Sequence, residues 1–342
     1  MTIWHAHEMI FAYSMAVIAG FLLTAIKNWT GIQTINGVKL MLLVGLWLLG
    51  RVVPFLLNNG WVIAFIDVLF LPVLAISIAL PLLQVNNKRN YFLIILIIIF
   101  ATLNSLIHLE LLGIISGVST TVLKIALYLI IALVIVMAGR VFPMFSQNGV
   151  KQRYQVKSYS LIEKLAVPSY FAFILAVVFM DNKLIIIVAS FVAGLIHAIR
   201  LKGWYNHQIW QVPLVWILHL GYLFLIVGFI MTALSTYYPS MYFLALHAFS
   251  IGFIGLVTIG MMARVSIGHT GRNLKFPPKT VKYSFILIIL ATLVRILLPL
   301  IVPTNYQLTV IISGLLWSMA FFLFVFSYTK ILTSVRTDSR VD

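Results

Sequence analysis

Two histidines and a glutamate stand at the start of the first apolar segment, within the run Trp4–Ile10 (WHAHEMI). Imidazole and carboxylate groups are costly to place in a membrane, so they normally face a cavity, a partner or a cofactor there. More histidines recur inside later apolar segments, at His108, His197, His219 and His247. Because imidazole is a common ligand of copper and of haem iron, this pattern indicates a protein that holds a metal or a haem between its helices. The competing interpretation of any one of these histidines is a hydrogen-bonded core residue.

The spacing of the polar residues limits how they can combine. His5 and Glu8 are three residues apart, so they can share one face of a helix. Asn104 and His108 are four residues apart and can also share a face. His5 and His7, by contrast, point apart if both are helical, so they either serve two sites or lie in a non-helical segment. The spacing does not match the zinc motif His-Glu-x-x-His.

The composition defines the elements that must position these residues. The chain has 342 residues, of which 63% are hydrophobic and 9% charged, whereas a soluble domain has about 25% charged residues. Apolar runs of about 20 residues recur from end to end, which predicts a single all-α integral membrane domain over residues 1–342, a polytopic helix bundle. The absence of cysteine excludes disulfides, iron–sulfur clusters and thiolate-ligated haem. The net charge of +16 is spread over the loops between spans, so no nucleic-acid partner is expected.

Eleven transmembrane helices are predicted, separated by turn signals such as Asn58-Asn59-Gly60 and Pro277-Pro278. They run approximately over residues 5–26, 40–57, 61–84, 91–109, 118–138, 160–180, 183–200, 213–234, 239–263, 281–301 and 306–329. Basic residues concentrate in the C-terminal tail and in the loops after odd-numbered helices, whereas the other loops carry one, Lys183. By the positive-inside rule the C-terminus is expected to be cytoplasmic and the N-terminus outside.

An N-terminus outside the membrane without a basic signal sequence favours one more helix upstream of this chain. The complete protein would then have twelve spans with both ends inside. The alternative is a protein of eleven spans that inserts with its N-terminus outside.

The polar residues of the spans fall into two layers when they are sorted by depth, at about 1.5 Å per residue. Arg51 and Asp67 flank a short loop at equal depth, which predicts a buried ion pair with a structural role, the alternative for Arg51 being a haem propionate. The outer layer also contains His5, His7, Glu8, Asn104, His108, Lys124 and Arg295, with His247 somewhat deeper. The inner layer contains His197, His219, Arg140, Arg264 and His269.

Two features of the inner layer suggest a haem. His197 and His219 are expected about 5–9 Å from the cytoplasmic face on consecutive helices. Two imidazoles at matched depth are what a bis-histidine haem b requires. The segment Arg264–Arg272 holds two arginines, a histidine and glycines, which could clamp propionates or phosphate. The alternative for this segment is an ordinary positive-inside loop.

Several long sequence blocks resemble the NnrS family. The first blocks are Trp4–Met9 (WHAHEM), Ala19–Ala25 (AGFLLTA) and Asn28–Gly31 (NWTG). The later blocks are Gly139–Phe145 (GRVFPMF), Trp216–Tyr222 (WILHLGY), Ala245–Ala248 (ALHA) and Met262–Arg272 (MARVSIGHTGR). The resemblance covers essentially the whole chain. It implies a bacterial inner-membrane protein of twelve spans that carries haem and copper and is linked to nitric oxide metabolism and nitrosative stress. Family members usually have one more helix before the Trp-His-Ala-His block.

The leading hypothesis is therefore a haem-copper membrane protein that binds nitric oxide or a related small molecule, with membrane lipids and a membrane redox protein as further partners. The predicted copper ligands are His5, His7, His108 and His247. The residues predicted to bind haem b are His197, His219, His247, Arg51, Arg264 and Arg295. Glu8, near the outer surface, is the predicted proton carrier and catalytic residue.

Three rival functions stay open at this point. The first is a nitric oxide reductase or related oxidoreductase, for which the sequence shows neither a haem c motif nor an acidic proton path. The second is a transporter of metal, haem or a small solute, although no clear internal repeat supports alternating access. The third is a sensor or an assembly factor, although the chain has no soluble output domain.

Overall fold

Helices form nearly all of the regular structure of this chain. The computed structural model describes residues 2–150 and 154–337, and this part contains no β-strand. Eleven helices in it are long and apolar enough to cross a membrane, which confirms the expected all-α polytopic fold. They are α1 (Ile3–Thr30), α2 (Gly37–Leu56), α3 (Gly60–Gln84), α4 (Lys88–Leu111), α5 (Ser119–Gly149), α6 (Ser160–Phe179), α7 (Lys183–Trp204), α8 (Pro213–Ser235), α9 (Met241–His269), α10 (Lys279–Ile301) and α11 (Pro303–Thr333).

Five of the predicted helix ends were placed four or more residues too early. Helices α1, α5, α7, α9 and α11 continue to Thr30, Gly149, Trp204, His269 and Thr333, although the sequence predicted ends at residues 26, 138, 200, 263 and 329. Each added segment contains basic residues, which lower its hydropathy without ending the helix. Pro143 lies inside α5 without ending it. A hydropathy pattern marks the apolar part of a helix, whereas the hydrogen-bonded backbone extends beyond it.

The chain folds as two compact units, Met1–Ile130 and Ile131–Asp342, with the boundary inside α5. The single domain predicted over residues 1–342 stays a prediction. So do the cytoplasmic position of the C-terminus and the additional upstream helix.

In the first unit, α3 packs against both α2 and α4, and the second half of α1 packs against α3. Only 17% of the most apolar window of α2 is buried inside the protein, compared with 61% for α1. Helix α2 therefore presents most of its apolar side chains outward, as a lipid-facing helix does. Helix α1 contains a π-helical stretch, Glu8–Ser14, and π-helical turns occur frequently at functional sites.

The second unit is built from α6 to α11 and the end of α5. Helix α8 contacts both α7 and α9, and α10 pairs with α11. Aromatic side chains fill its centre, where Phe229 contacts Phe173 edge-on at 4.8 Å between ring centroids and Phe249 at 5.5 Å. Gly228 makes this packing possible, since a Cβ atom there would collide with the ring of Phe249. Helix α9 also contains a π-helical stretch, Ala248–Gly255, which begins directly after His247.

Candidate metal centre

A buried carboxylate at the centre of the first unit gathers two imidazoles around one oxygen atom. The Oδ2 atom of Asp67 lies 2.8 Å from Nε2 of His108 and 3.3 Å from Nε2 of His7. All three side chains are buried, and their ligand atoms lie within 4.8 Å of one another. His7 comes from the start of α1, Asp67 from α3 and His108 from the end of α4, so the packing of three helices creates the site.

A second layer of polar groups fixes the orientation of these three side chains. The amide Nδ2 of Asn104 donates to Oδ2 of Asp67 at 3.0 Å, while its Oδ1 lies 2.8 Å from Nε2 of His7. The other ring nitrogen of His7, Nδ1, lies 3.2 Å from Oε1 of Glu8. A histidine that binds a metal usually donates its second N–H group to a carboxylate or carbonyl in this way. Glu8 and Asn104 therefore hold His7 between them.

Arg51 pairs with both carboxylates of the site. Its Nη1 donates to Oε1 of Glu8 at 2.5 Å, and its Nη2 forms an ion pair with Oδ1 of Asp67. The predicted Arg51–Asp67 ion pair is thus confirmed. Gly50 leaves the room that this pair needs, since a Cβ atom there would lie 3.1 Å from Oδ1 of Asp67. The role of Arg51 as a propionate partner stays a prediction, and here its guanidinium is already shared by two carboxylates.

The local structure of α1 accounts for the direction of His7 and Glu8. The π-helical stretch begins at Glu8, directly after His7. Ser14 closes this stretch through its hydroxyl, which donates to the carbonyl of Met9 at 2.7 Å. The wider turn lets two consecutive residues serve one site, with His7 aimed at Asp67 and Glu8 at Arg51.

Two nitrogen ligands and one oxygen ligand suit a first-row transition metal. Ligand atoms about 2.0–2.1 Å from a tetrahedral ion are about 3.3 Å apart, which is the separation between His7 and Asp67. The donors fit Cu²⁺, Fe²⁺ and Zn²⁺ and include no soft sulfur ligand. With neutral imidazoles, the residues Glu8, Asp67 and Arg51 carry a net charge of −1, which favours a divalent cation. Copper, which the family resemblance implies, therefore fits this site.

The structure locates the other predicted metal ligands away from this group or in the other unit. The side chain of His5 is exposed, and His5 is not one of the three residues whose ligand atoms converge. His247 lies in the second unit, where its Nδ1 contacts the carbonyl of Phe243 at 2.6 Å. Both assignments stay predictions.

His197 and His219, the two predicted haem ligands, contact different groups in the second unit. Nδ1 of His197 contacts the hydroxyl of Tyr222 at 2.6 Å, and its ring stacks on Phe229. His219 instead contacts the carbonyls of Val215 and Trp204, at 3.2 and 3.4 Å. Because α7 ends at Trp204 rather than at residue 200, His197 lies about 6 Å deeper than expected. The two histidines therefore have different neighbours, and their assignment to a shared bis-histidine haem stays a prediction.

The remaining predicted arginines lie in the second unit and differ from Arg51. Arg295 donates to the hydroxyl of Tyr306 at 3.1 Å and lies over its ring. Arg264 is buried, with its guanidinium 4.1 Å from the centre of the Phe145 ring. Neither has a carboxylate partner within the described part of the chain.

Two groups of functional interest are not evident from the sequence pattern. Asp67 was treated only as the partner of Arg51, although it is the residue on which the imidazoles converge. A second network joins Glu163, Arg200 and Tyr222: the guanidinium contacts Glu163 at 2.6 and 2.9 Å and the Tyr222 hydroxyl at 3.0 Å. The depth of Asp67 was a usable signal for the first group. No sequence pattern marks the second.

The fold and this site together define a polytopic α-helical membrane protein with a buried group of two histidines and a carboxylate that could hold a metal ion. The family model described as NnrS protein matches residues 1–336. The chain therefore belongs to the NnrS family, which confirms the resemblance. No curated protein matches the chain.

Proposed function

We propose that the protein binds copper at His7, Asp67 and His108 and that nitric oxide, or a related small molecule, binds at this ion as part of nitrosative-stress defence in the bacterial inner membrane. The single observation that carries the proposal is the convergence of two buried imidazoles on one buried carboxylate oxygen. Membership of the NnrS family supports the link to nitric oxide.

When bound, the ion supplies an open coordination position for a small ligand. Each surrounding residue then has a defined task. Glu8 would accept a hydrogen bond from the Nδ1–H group of His7, so that Nε2 could bind the metal in place of its contact with Oδ1 of Asn104. Arg51 pairs with Oδ1 of Asp67, and Asn104 fixes the direction of the carboxylate. Nitric oxide is small and apolar, so it can reach the buried site from the bilayer without a polar channel.

Reductive turnover of nitric oxide is the second candidate function. Glu8 favours it, because the side chain is 27% exposed while its Oε1 contacts His7. A carboxylate that joins solvent to a metal ligand is suited to deliver protons. Turnover also needs an external electron donor. Consumption of nitric oxide by the purified protein with an artificial donor would favour this candidate.

Haem b remains part of the proposal through the family resemblance alone. His197 contacts Tyr222 whereas His219 contacts Val215 and Trp204, so each histidine is considered as a separate haem ligand. A reduced-minus-oxidised optical spectrum of the purified protein tests for haem. Variants of His197 and His219 would then assign its ligands one by one.

Metal analysis of the purified protein tests the central proposal. We expect copper in the wild-type protein and its loss in the His7→Ala and His108→Ala variants, because each removes one of three ligands. His207→Ala is the matched control, since His207 is exposed in a short turn of the second unit. His5→Ala should also keep its copper.

Two results would contradict the proposal. One is a wild-type protein that binds neither copper nor iron when loaded under reducing or oxidising conditions. The other is an unchanged metal content in folded His7→Ala and His108→Ala protein. If the wild-type protein contained iron instead of copper, and the same variants lost it, the site would be correct and its metal would be iron.

A further inference from the structure

Arg264 is a buried cation without a counter-ion in the part of the chain that the structure describes. It lies on α9 with 6% of its surface exposed. Its guanidinium stacks over the ring of Phe145 at 4.1 Å, and its Nε atom is buried with no hydrogen-bond partner. The residue is independent of the proposed metal centre, which belongs to the first unit.

Carboxylates are too few in this unit to neutralise Arg264. Among residues 131–150 and 154–337, the acidic residues are Glu163 and Asp181. Glu163 is already paired with Arg200 at 2.6 Å. Asp181 follows the far end of α6, a helix of 20 residues and hence about 30 Å long. The positive charge therefore has no partner among these side chains.

The free-energy cost of burying Arg264 indicates that an anion binds beside it. An arginine stays protonated in a protein, so Arg264 cannot escape the cost of burial by losing its proton. Burying an unpaired charge destabilises the folded protein by roughly several kcal/mol, whereas stacking on an aromatic ring stabilises it by about 0.5–2 kcal/mol. The ring of Phe145 alone therefore does not offset the cost.

The position of Arg264 indicates where the anion comes from. Arg264 precedes the end of α9 at His269 by five residues, about 7–8 Å along the helix. A Cβ atom at Gly149, the last residue of α5, would lie 3.9 Å from its Nη1. The guanidinium thus lies between α5 and α9 near the end of both helices, and the ends of transmembrane helices are the parts closest to lipid head groups. The basic residues Arg272 and Lys275 follow in the same segment.

We infer that Arg264 binds the phosphate group of an anionic phospholipid. A guanidinium matches a phosphate in charge and in hydrogen-bond geometry. Basic pockets between transmembrane helices are known to bind anionic lipid head groups. Free inorganic phosphate offers the same chemistry, so the test must separate the two sources.

The test compares thermal unfolding of the delipidated full-length protein with added probes. Short-chain phosphatidylglycerol should raise the wild-type melting temperature by several degrees, whereas short-chain phosphatidylcholine and inorganic phosphate should not. The Arg264→Met variant should fold, because methionine keeps the apolar contact with Phe145 and removes the unpaired charge. It should lose the response to phosphatidylglycerol. Arg295→Met, which also removes an arginine stacked on an aromatic ring, is the control and should keep the response.

Three outcomes would overturn the inference. A full phosphatidylglycerol response in Arg264→Met protein would show that the lipid binds elsewhere. An equal response to inorganic phosphate would assign the site to a free anion. If Asp338→Asn or Asp342→Asn, both outside the described residues, lowers the melting temperature of the delipidated wild-type protein but not that of the Arg264→Met variant, the counter-ion belongs to the chain itself.

Discussion

The two units of this protein differ in how their buried polar residues are arranged. In the first unit, the carboxylate of Asp67 contacts the side chains of Arg51, His7, His108 and Asn104. In the second unit, each histidine has separate neighbours, and His197 keeps a buried Nε2 atom with no hydrogen-bond partner. The difference lies in the anion, because no carboxylate links the histidines of the second unit within the described residues. A shared buried carboxylate is what brings the imidazoles of the first unit together into a candidate metal site.

The largest effect should follow from removing that carboxylate. Asp67→Asn keeps the shape of the side chain but removes one of the two carboxylates that pair with Arg51 and the charged acceptor shared by the two imidazoles, which should cost about 3–5 kcal/mol of unfolding free energy. Chemical or thermal unfolding in detergent measures this loss. Asp181→Asn is the control, because Asp181 is exposed in a turn and its loss should change little. Equal stability of both variants would mean that Asp67 does not organise the first unit.

A smaller effect should follow from crowding the same carboxylate. In Gly50→Ala the new methyl group would lie 3.1 Å from Oδ1 and 3.5 Å from Cα of Asp67, so helices α2 and α3 must shift. Overpacking of this kind costs about 1–3 kcal/mol, and metal affinity should fall with it.

Gly20→Ala is the matched control for this substitution. Its Cβ atom would meet nothing within 4 Å, so the change should be neutral or stabilise α1 by up to about 1 kcal/mol. If both variants lose stability and metal affinity alike, close packing at Gly50 is not what positions Asp67.

The smallest effect is expected in the second unit. His197→Phe removes the unpartnered Nε2 atom and keeps the stack on Phe229, while Tyr222 retains Arg200 as a partner at 3.0 Å. The net cost should be about 1 kcal/mol, the value of one hydrogen bond. Unfolding in detergent measures it. A loss as large as that of Asp67→Asn would indicate that His197 binds a group essential to the fold.

Much of the fold was predictable from the sequence, because hydropathy reports directly on lipid exposure. The eleven helices and the Arg51–Asp67 pair followed from apolar runs and from counting residues from a loop. The relative position of His197 and His219 along their helices could not be predicted in this way. A four-residue error at the end of α7 displaces a side chain by about 6 Å along the helix axis. The π-helical stretches after His7 and His247 also have no sequence signal that hydropathy can detect, although they change the direction of the neighbouring side chains.

The candidate site was predictable in part. His7 and His108 were assigned to one metal cluster because both lie in the outer layer. Asp67 was missed as their common partner, because an ion pair with Arg51 already explained it. A carboxylate has two oxygens, and in this structure each one serves a different partner: Oδ1 pairs with Arg51 and Oδ2 with the imidazoles. The number of partners that one carboxylate contacts depends on how the helices pack. The spacing of residues along the chain does not predict that packing.

Pulsed electron paramagnetic resonance of the Cu²⁺-loaded protein tests the central claim most directly, because it counts the imidazoles bound to the ion. We predict two coupled imidazole nitrogens in the wild-type protein, one in His7→Ala or in His108→Ala, and still two in His5→Ala and His207→Ala. A wild-type spectrum without imidazole coupling, or one that is unchanged in both His7→Ala and His108→Ala, would contradict the assignment of the metal to His7, Asp67 and His108.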